Sequence, residues 1–268
     1  HRPFTTVAAG EGTMELPDLK EPSEAVLEAE LTDRAGERSV HNRWQVWLFP
    51  ETPDPDGVVV HGRPGRTWLR QWRDLPEFGS SPDVAEERVV LTEEVTGDLL
   101  DYARGGGRVV LAATEGLVRP HAPLFGYVKY FCTPPANYAP YEDGQNGTVI
   151  ADHPLLEGFP HEGFADWQFF RMIQNAPPLD IEPLALADAE PVIRVIHRYP
   201  TLHPLAYLLE RRVGEGSVVI CALELKPDWV EARWLLSQIC RVTICRAPSS
   251  APALSPETQK RLKRLTTL

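Results

Sequence analysis

The sequence contains no apolar run of the roughly 18 to 20 residues that a membrane-spanning helix needs. Basic residues are also in deficit, because 27 Lys and Arg stand against 38 Asp and Glu, for a net charge of -11. An acidic surface repels both phosphate backbones and anionic lipids. We therefore expect neither a nucleic acid nor a membrane as a partner, whereas a neutral ligand such as a sugar is compatible with the charge.

Cysteine is scarce: four residues stand at positions 132, 221, 240 and 245, and no CxxC pair occurs. This spacing excludes a zinc ribbon and a thioredoxin-like redox site. Cys221 lies within an apolar run and is expected to be a buried thiol. Cys240 and Cys245 either form a disulfide or are both buried, so the sequence leaves open a secreted, periplasmic or cytoplasmic location.

Several catalytic motifs are missing as well. A glutaminase needs a cysteine at the centre of a tight, glycine-flanked turn, and Cys132 lies in a Tyr-Phe-Cys-Thr-Pro context instead. The eight histidines form no HxH, HxxxH or HExxH pattern. Gly105, Gly106 and Gly107 follow a predicted helix, so they indicate a helix end and not a phosphate loop. We therefore predict no catalytic residue, no metal site and no cofactor.

Residues 1–50 show the alternation of half-buried strands. The apolar residues of this pattern lie on either side of a predicted turn at 33–38; they are Leu27, Ala29 and Leu31 before it and Trp44, Val46 and Leu48 after it. A further short strand is expected over 13–16. So few strands cannot close a sandwich by themselves. Residues 1–50 are therefore predicted to be the remnant of a β-sandwich that another polypeptide segment completes.

Residues 51–57 have the composition of a linker, and the pattern then changes to alternating strands and helices over 58–246. The expected elements are strands at 58–60, 89–91 and 108–113, helices at 66–75, 93–104 and 230–239, and a hairpin over 206–222. Thr92 is the expected N-cap of the second helix. Strand, helix and strand in this order indicate a βαβ unit, hence an α/β fold with a mostly parallel sheet flanked by helices. A mobile tail is predicted over 247–268.

Several segments between residues 42 and 221 carry a pattern found in one enzyme family. The stretch 147–160 joins a His-Pro-Leu to a Phe-Pro pair, and Asp166-Trp167-Gln168 follows it. The remaining segments are 42–50, 191–196 and 210–221. Together they resemble the C-terminal region of bacterial family 2 glycoside hydrolases of the β-galactosidase type, in which 42–50 is the closing strand of a β-sandwich.

The resemblance implies a class I glutaminase-like or flavodoxin-like domain that trails the catalytic barrel of those enzymes. Their catalytic carboxylates belong to that barrel, and the segments just named leave no room for one. The carboxylates Glu162 and Asp166 are accordingly expected to be solvated loop charges. The chain departs from the family where Val195-Ile196-His197 replaces a frequent Val-Ile-Asp, so no role of that aspartate is carried over.

Aromatic residues offer the predicted ligand contacts. One group lies around Tyr130 and Tyr138, and another around Trp167. Because sugar faces stack on aromatic rings, Trp167, Tyr130 and Tyr138 are the candidate substrate-binding residues. The alternative is that these rings pack beneath long loops.

The expected function is that of a non-catalytic accessory or interaction domain of a carbohydrate-active enzyme. Its expected partner is the remainder of a parent glycoside hydrolase or a second copy of the chain, bound through residues 1–50. Two alternatives remain, namely a standalone carbohydrate-binding protein and a glycoside hydrolase with an unrecognised site.

Overall fold

The computed structural model describes residues 10–52, 55–62, 65, 67–72, 74–79, 88–119, 145–187, 189–197, 202–245 and 251–267. The strands are β1 (Ser23–Thr32), β2 (Ser39–Leu48), β3 (Val58–His61), β4 (Val89–Thr92), β5 (Arg108–Ala112), β6 (Gln145–Ile150), β7 (Leu179–Asp180), β8 (Ile193–His197), β9 (Leu205–Val213) and β10 (Gly216–Cys221). The α-helices are α1 (Gly97–Arg104), α2 (Trp167–Ile173), α3 (Val230–Cys245) and α4 (Pro256–Thr266). Short 3-10 helices occupy Trp68–Gln71 and Pro154–Leu156.

The strands form two sheets. β1 and β2 make a separate antiparallel pair, and the other eight strands make one mixed sheet in the order β3-β4-β5-β10-β9-β8-β6, with β7 paired to β9. The predicted mostly parallel α/β sheet, of class I glutaminase-like or flavodoxin-like type, is wrong. Only β3, β4, β5 and β10 run parallel, and the four remaining pairings are antiparallel. The parallel half follows the βαβ pattern, whereas the β9–β10 hairpin and the antiparallel β8–β9 and β6–β8 pairs make up the other half.

The centre of the mixed sheet lies at β5 and β10, as the apolar runs predict. Val110 and Val219 are cross-strand partners in this pair, and both are fully buried. Strands buried on both faces carry continuous apolar runs instead of alternating patterns. The predicted hairpin is also confirmed, because β9 and β10 pair antiparallel on either side of Gly214. An added Cβ at Gly214 would lie 2.6 Å from the carbonyl oxygen of Arg104, which explains the glycine there.

Helix α1 begins later than predicted. Its N-cap is Thr96, whose hydroxyl accepts a hydrogen bond from the Leu99 N–H, so the prediction of Thr92 as the cap is wrong. Thr92 is instead the fully buried last residue of β4, and its hydroxyl donates to the Glu94 carbonyl. The predicted helix at 66–75 is only a short 3-10 turn in the residues that the structure describes there. Gly105 is the C-cap of α1, as the glycine run predicts.

The tail predicted to be mobile over 247–268 contains α4, which bonds to α1 and to Val95 shortly before it, while 247–250 and 268 lie outside the described residues. Leu262 is fully buried, and the Thr266 hydroxyl accepts a hydrogen bond from the Val95 N–H at 2.9 Å. Ser255 caps the helix at its N-terminus. Five of the eleven residues of α4 are charged, so its composition resembles that of a solvated tail, and only contacts with distant residues show that it is docked.

The predicted helix at 230–239 is confirmed and is longer, since α3 continues to Cys245. No strand forms at 13–16. Among the described helices, none has both the length and the apolar character needed to cross a membrane.

Candidate interaction surface

The antiparallel pair of β1 and β2, here called the ribbon (residues 23–48), has two chemically different faces. Its register pairs Leu27 with Trp44 and Leu31 with Val40. Cross-strand partners point to the same face of a sheet. The two apolar sets that the sequence shows separately therefore form one surface, the apolar ribbon face: Ala25, Leu27, Ala29, Leu31, Val40, Trp44, Val46 and Leu48.

This apolar ribbon face is largely open to solvent. Leu31 and Val40, near the turn of the ribbon, are 63% and 68% exposed, and Trp44 is 45% exposed. Towards the other end, Val46 and Leu48 become half-buried where β2 contacts α2. Most of the ribbon therefore projects away from the mixed sheet with a largely apolar surface, in which Asn42 is a polar position between Val40 and Trp44. Such surfaces mark interaction sites more often than isolated exposed apolar residues do.

The opposite ribbon face is mainly polar and carries both signs of charge, with Val26 and Trp47 as apolar residues near the base. Glu28 and Arg43 are cross-strand partners, with 3.7 Å between a carboxylate oxygen and Nε. Glu24 and Glu30 lie on the same face as Glu28, four residues before it and two residues after it. The ribbon is therefore amphipathic, with one face suited to water and the other to burial.

The base of the ribbon is anchored by aromatic contacts. Phe49, directly after β2, lies with its ring 5.2 Å from that of Phe159. The Phe159 ring in turn packs on Phe169 of α2 at 4.7 Å and on Trp234 of α3 at 5.9 Å. The anchor fixes where the ribbon leaves the mixed sheet, while the apolar ribbon face near the turn stays uncovered.

Of the three predicted sugar-binding aromatics, the structure describes Trp167. Tyr130 and Tyr138 lie outside the described residues. Trp167 is the first residue of α2 and is 71% exposed, with its ring 5.6 Å from that of Phe170. Phe164, in the preceding loop, is 44% exposed. Trp167 is thus on the surface and not beneath a loop.

Helix α2 is held in place by a charged pair. Arg171 donates from Nε and Nη2 to the two carboxylate oxygens of Glu231 on α3, at 2.7 and 2.6 Å. The Arg171 guanidinium also lies 5.4 Å from the Trp229 ring. Bidentate pairing fixes both partners in one geometry. This pair therefore ties α2, which begins at Trp167, to α3.

The thiols that the structure describes are structural. Cys221 and Cys240 are free and fully buried, so Cys240 does not pair with Cys245. Burial raises the pKa of Cys221 to about 12 and also raises the pKa of Cys240. A thiol that stays protonated is a poor nucleophile. Cys132 lies outside the described residues.

The remaining polar candidates have local structural partners. Asp166 is the N-cap of α2 and accepts a hydrogen bond from the Trp167 N–H at 2.8 Å. His161 accepts a hydrogen bond from the Gly163 N–H, and His197 accepts one from the His203 N–H. Within the described ranges, no group of three or more His, Cys, Asp or Glu side chains is placed to hold a metal ion.

The sequence pattern identified the ribbon strands but not their shared face, because the register of a hairpin is needed to superimpose the two apolar sets.

Comparison with curated proteins yields no match. The family model described as a domain of unknown function, DUF8487, matches residues 90–263, from β4 to α4, and the chain therefore belongs to this family.

Proposed function

We propose that this chain is a non-catalytic interaction domain of a carbohydrate-active enzyme related to the family 2 glycoside hydrolases. The observation that carries the proposal is the exposed apolar ribbon face. Leu27, Leu31, Val40 and Trp44 would each gain from burial, at about 25 cal/mol per Å² of apolar surface removed from water. The ribbon belongs at an interface between this chain and a second β-sheet.

The size of the ribbon favours a larger partner sheet over a second ribbon. Each strand has ten residues and is therefore about 34 Å long, at a rise of about 3.4 Å per residue. Two strands spaced about 4.8 Å apart then give one face an area of roughly 300 to 350 Å². Two ribbons packed on each other would bury less than the roughly 1,200 Å² of a stable interface. An enzyme strand that pairs with a ribbon edge, while a second sheet packs on the apolar ribbon face, adds buried area that face-to-face packing alone does not provide.

The resemblance of 42–50 to a closing sandwich strand agrees with this arrangement. β2 covers Ser39–Leu48 and Phe49 follows it as the anchor, so the resembling segment coincides with the part of the ribbon that joins the mixed sheet. Sheets in sandwiches pack about 10 Å apart through their apolar faces. The apolar ribbon face has the side chains for such packing.

A second function, carbohydrate binding, is favoured by one observation. An aromatic surface lies at the start of α2. It consists of the ring pair of Trp167 and Phe170, and the exposed Phe164 precedes it in the chain. Exposed rings of this kind can stack on the apolar face of a sugar. The two functions are compatible, because the rings and the apolar ribbon face are different surfaces.

The test is to read the coding sequence that adjoins the chain and to produce the chain together with any carbohydrate-active catalytic domain encoded there. We expect the two to elute as one complex in size-exclusion chromatography. Trp44→Ser, on the apolar ribbon face, should abolish the complex. The control Arg43→Ser, on the polar face of the same strand, should leave it intact.

Two results would overturn the proposal. One is a catalytic domain that associates equally well with the Trp44→Ser variant, since the ribbon would then not be the contact. The other is a chain that hydrolyses aryl β-galactosides or β-glucuronides by itself, with activity lost on changing a single carboxylate. A dimer of the chain that Trp44→Ser dissociates would identify a second copy as the partner in place of an enzyme sheet.

A further inference from the structure

Both edges of the mixed sheet are covered by the chain itself. At one edge, the Val60 N–H of β3 donates to the Pro76 carbonyl, and the Phe78 N–H donates to the Val60 carbonyl. At the other edge, the Ile150 N–H of β6 donates to the Gly163 carbonyl at 2.7 Å. An uncovered edge offers unpaired N–H and C=O groups to any strand nearby, and native proteins normally block it. In the described part of the chain the ribbon is the exception, because its two strands have only each other as sheet partners.

The hydrogen bonds near the turn show which backbone groups of the ribbon point outward. The Asp33 N–H donates to the Arg38 carbonyl at 2.9 Å, and this pair continues the register of Thr32 with Ser39. In an antiparallel pair, alternate residues bond to the partner strand, and the others point their N–H and C=O groups away from it. The odd-numbered residues of β1 therefore bond to β2, and the even-numbered residues present their backbone groups at the outer edge.

The outer edge of β1 is more open than that of β2. Every residue of β1 from Val26 to Thr32 is exposed, whereas β2 is half-buried over 45–48 and contacts α2. On β2 the outward N–H of Arg43 is already bonded, since it donates to the side-chain oxygen of Asn42 at 3.0 Å. Among the described residues, the outward N–H groups of β1 have no such acceptor. The edge of β1 is therefore the one that can pair with a further strand along most of its length.

The side chains along this open edge are acidic. Glu24, Glu28 and Glu30 belong to the even-numbered set, and their side chains lie on the polar ribbon face. Within the described ranges only Glu28 has an ion-pair partner, namely Arg43 at 3.7 Å, and both of these side chains are more than half exposed. Charges of one sign at an edge prevent indiscriminate strand pairing, and they still admit a strand of the opposite charge.

A strand added to β1 would place its side chains directly beside those of β1. Residues opposite each other on neighbouring strands have their Cβ atoms about 4.5 to 5.5 Å apart, so opposite charges attract and like charges repel. On the polar ribbon face the added strand meets the three glutamates, and Lys or Arg at alternate positions would complement them. On the other face it lies beside Leu27 and Leu31, so its remaining positions would be apolar.

We propose that the outer edge of β1 accepts a strand of a partner protein in which basic and apolar residues alternate. This inference rests on the interface role proposed for the ribbon and specifies one part of its partner. A second copy of the chain does not fit this edge through its own β1. Every antiparallel register that joins more than half of two β1 strands sets a glutamate opposite a glutamate, and like charges in that position are destabilising.

The experiment uses the whole chain and labelled synthetic peptides of about nine residues, a length that spans most of a strand. In the first peptide Lys and Val alternate; a second has the same composition with all Lys residues in one block, and a third has Glu in place of Lys. Binding is measured by fluorescence anisotropy. We expect the alternating Lys–Val peptide to bind more tightly than either of the others by about tenfold or more.

Two N-methylated forms of the alternating peptide test for backbone pairing. One carries the methyl groups on the Lys amides and the other on the Val amides, so the two forms have the same composition and charge. Residues opposite each other bond directly in an antiparallel pair, whereas in a parallel pair the bonds go to the neighbouring residues. We therefore expect only one form to lose binding: the form methylated at Lys if the peptide is antiparallel to β1, and the form methylated at Val if it is parallel.

Two matched proline variants identify the edge. Val26 and Gln45 lie opposite each other in the ribbon, and each points its N–H outward, so proline there removes no bond between β1 and β2. We expect Val26→Pro to weaken binding of the alternating peptide by about tenfold or more, and Gln45→Pro to change it by less than about twofold. Circular dichroism and the thermal transition establish that both variants fold.

A charge reversal tests the role of the glutamates without a change in the backbone. The double variant Glu24→Lys and Glu30→Lys changes the two carboxylates that have no ion pair among the described residues. We expect this variant to bind the Glu peptide more tightly than the Lys–Val peptide, which is the reverse of the preference of the parent chain.

Three outcomes would overturn the inference. One is no binding of the alternating peptide at about 1 mM. Another is equal binding of the alternating and block peptides, because attraction between charges would then suffice without a strand. The third is binding that Gln45→Pro weakens and Val26→Pro does not. These failures are distinct from failure of the interface role: a catalytic-domain complex lost in Trp44→Ser but intact in Val26→Pro would retain the apolar ribbon face as the contact and remove only the edge pairing.

Discussion

Leu27 and Trp44 lie opposite each other across the ribbon, on one face, and they are 42% and 45% exposed. Seventeen positions separate them in the chain, and both are apolar residues near the centre of strands whose side chains are mostly exposed. A half-exposed tryptophan opposite a half-exposed leucine is the kind of pair that forms the core of an interface.

The outer part of the apolar ribbon face should contribute to surface hydrophobicity but not to folding. We expect the double variant Leu31→Ser and Val40→Ser to bind less of the dye ANS, because both residues are more than 60% exposed. Its free energy of unfolding in urea should stay within about 0.5 kcal/mol of that of the parent chain. A loss of several kcal/mol would mean that the ribbon is packed against the rest of the chain.

A substitution to a charged residue should prevent folding at the centre of the mixed sheet but not at its edge. Val110→Asp buries an unpaired carboxylate in β5, at a cost of several kcal/mol against a total stability of about 5 to 15 kcal/mol. We expect that variant to be unfolded by circular dichroism. The matched variant Val149→Asp, on the edge strand β6 where the side chain is 48% exposed, should fold with a cooperative thermal transition.

The turn between β9 and β10 should require glycine for two reasons. Gly214 has a φ of +59°, and a Cβ there would clash with the backbone of Arg104. Gly36, in the ribbon turn, has a φ of +72° but no atom near its added Cβ. We expect Gly214→Ala to cost more than Gly36→Ala in urea unfolding, where the latter carries only the roughly 1 kcal/mol of backbone strain. Equal losses would contradict the close approach of Arg104.

The buried thiols should make the chain less stable at alkaline pH. Cys221 titrates near 9.0 when unfolded and at about 12 when folded, so the folded state keeps its proton over that interval while the unfolded state loses it. Stability is therefore complete below pH 9 and falls as the pH rises towards 12. The raised pKa of Tyr102 acts in the same direction.

The measurement is the slope of the unfolding free energy between pH 9 and 11, compared with that of the double variant Cys221→Ala and Cys240→Ala. We expect the variant to have a shallower slope, whatever its stability at pH 7. In the parent chain, Ellman's reagent should react with these thiols only after guanidinium is added. An unchanged slope, or rapid reaction of both thiols in the native state, would show that they are accessible.

The sequence by itself determined the elements whose signal is local. Period-two alternation specified β1 and β2, and continuous apolar runs specified the centre of the sheet at β5 and β10, because side-chain spacing reports directly on which faces are buried. The glycine stop after α1 and the turn at Gly214 were likewise local. The position of each of these turns is visible in the sequence, although the close approach of Arg104 to Gly214 is not.

Only the tertiary structure decided the relative directions of the strands and which distant residues are in contact. The antiparallel half of the sheet follows from the pairings of β8 with β9 and β6, which neither periodicity nor composition encodes. The contact of His153 with Glu210 joins residues 57 positions apart in the chain. The docking of helix α4 depends on Val95 and Thr266, which are 171 positions apart. These relationships arise from contacts between distant residues. A local strand or helix pattern does not encode them, because the pattern stays the same whichever element packs against it.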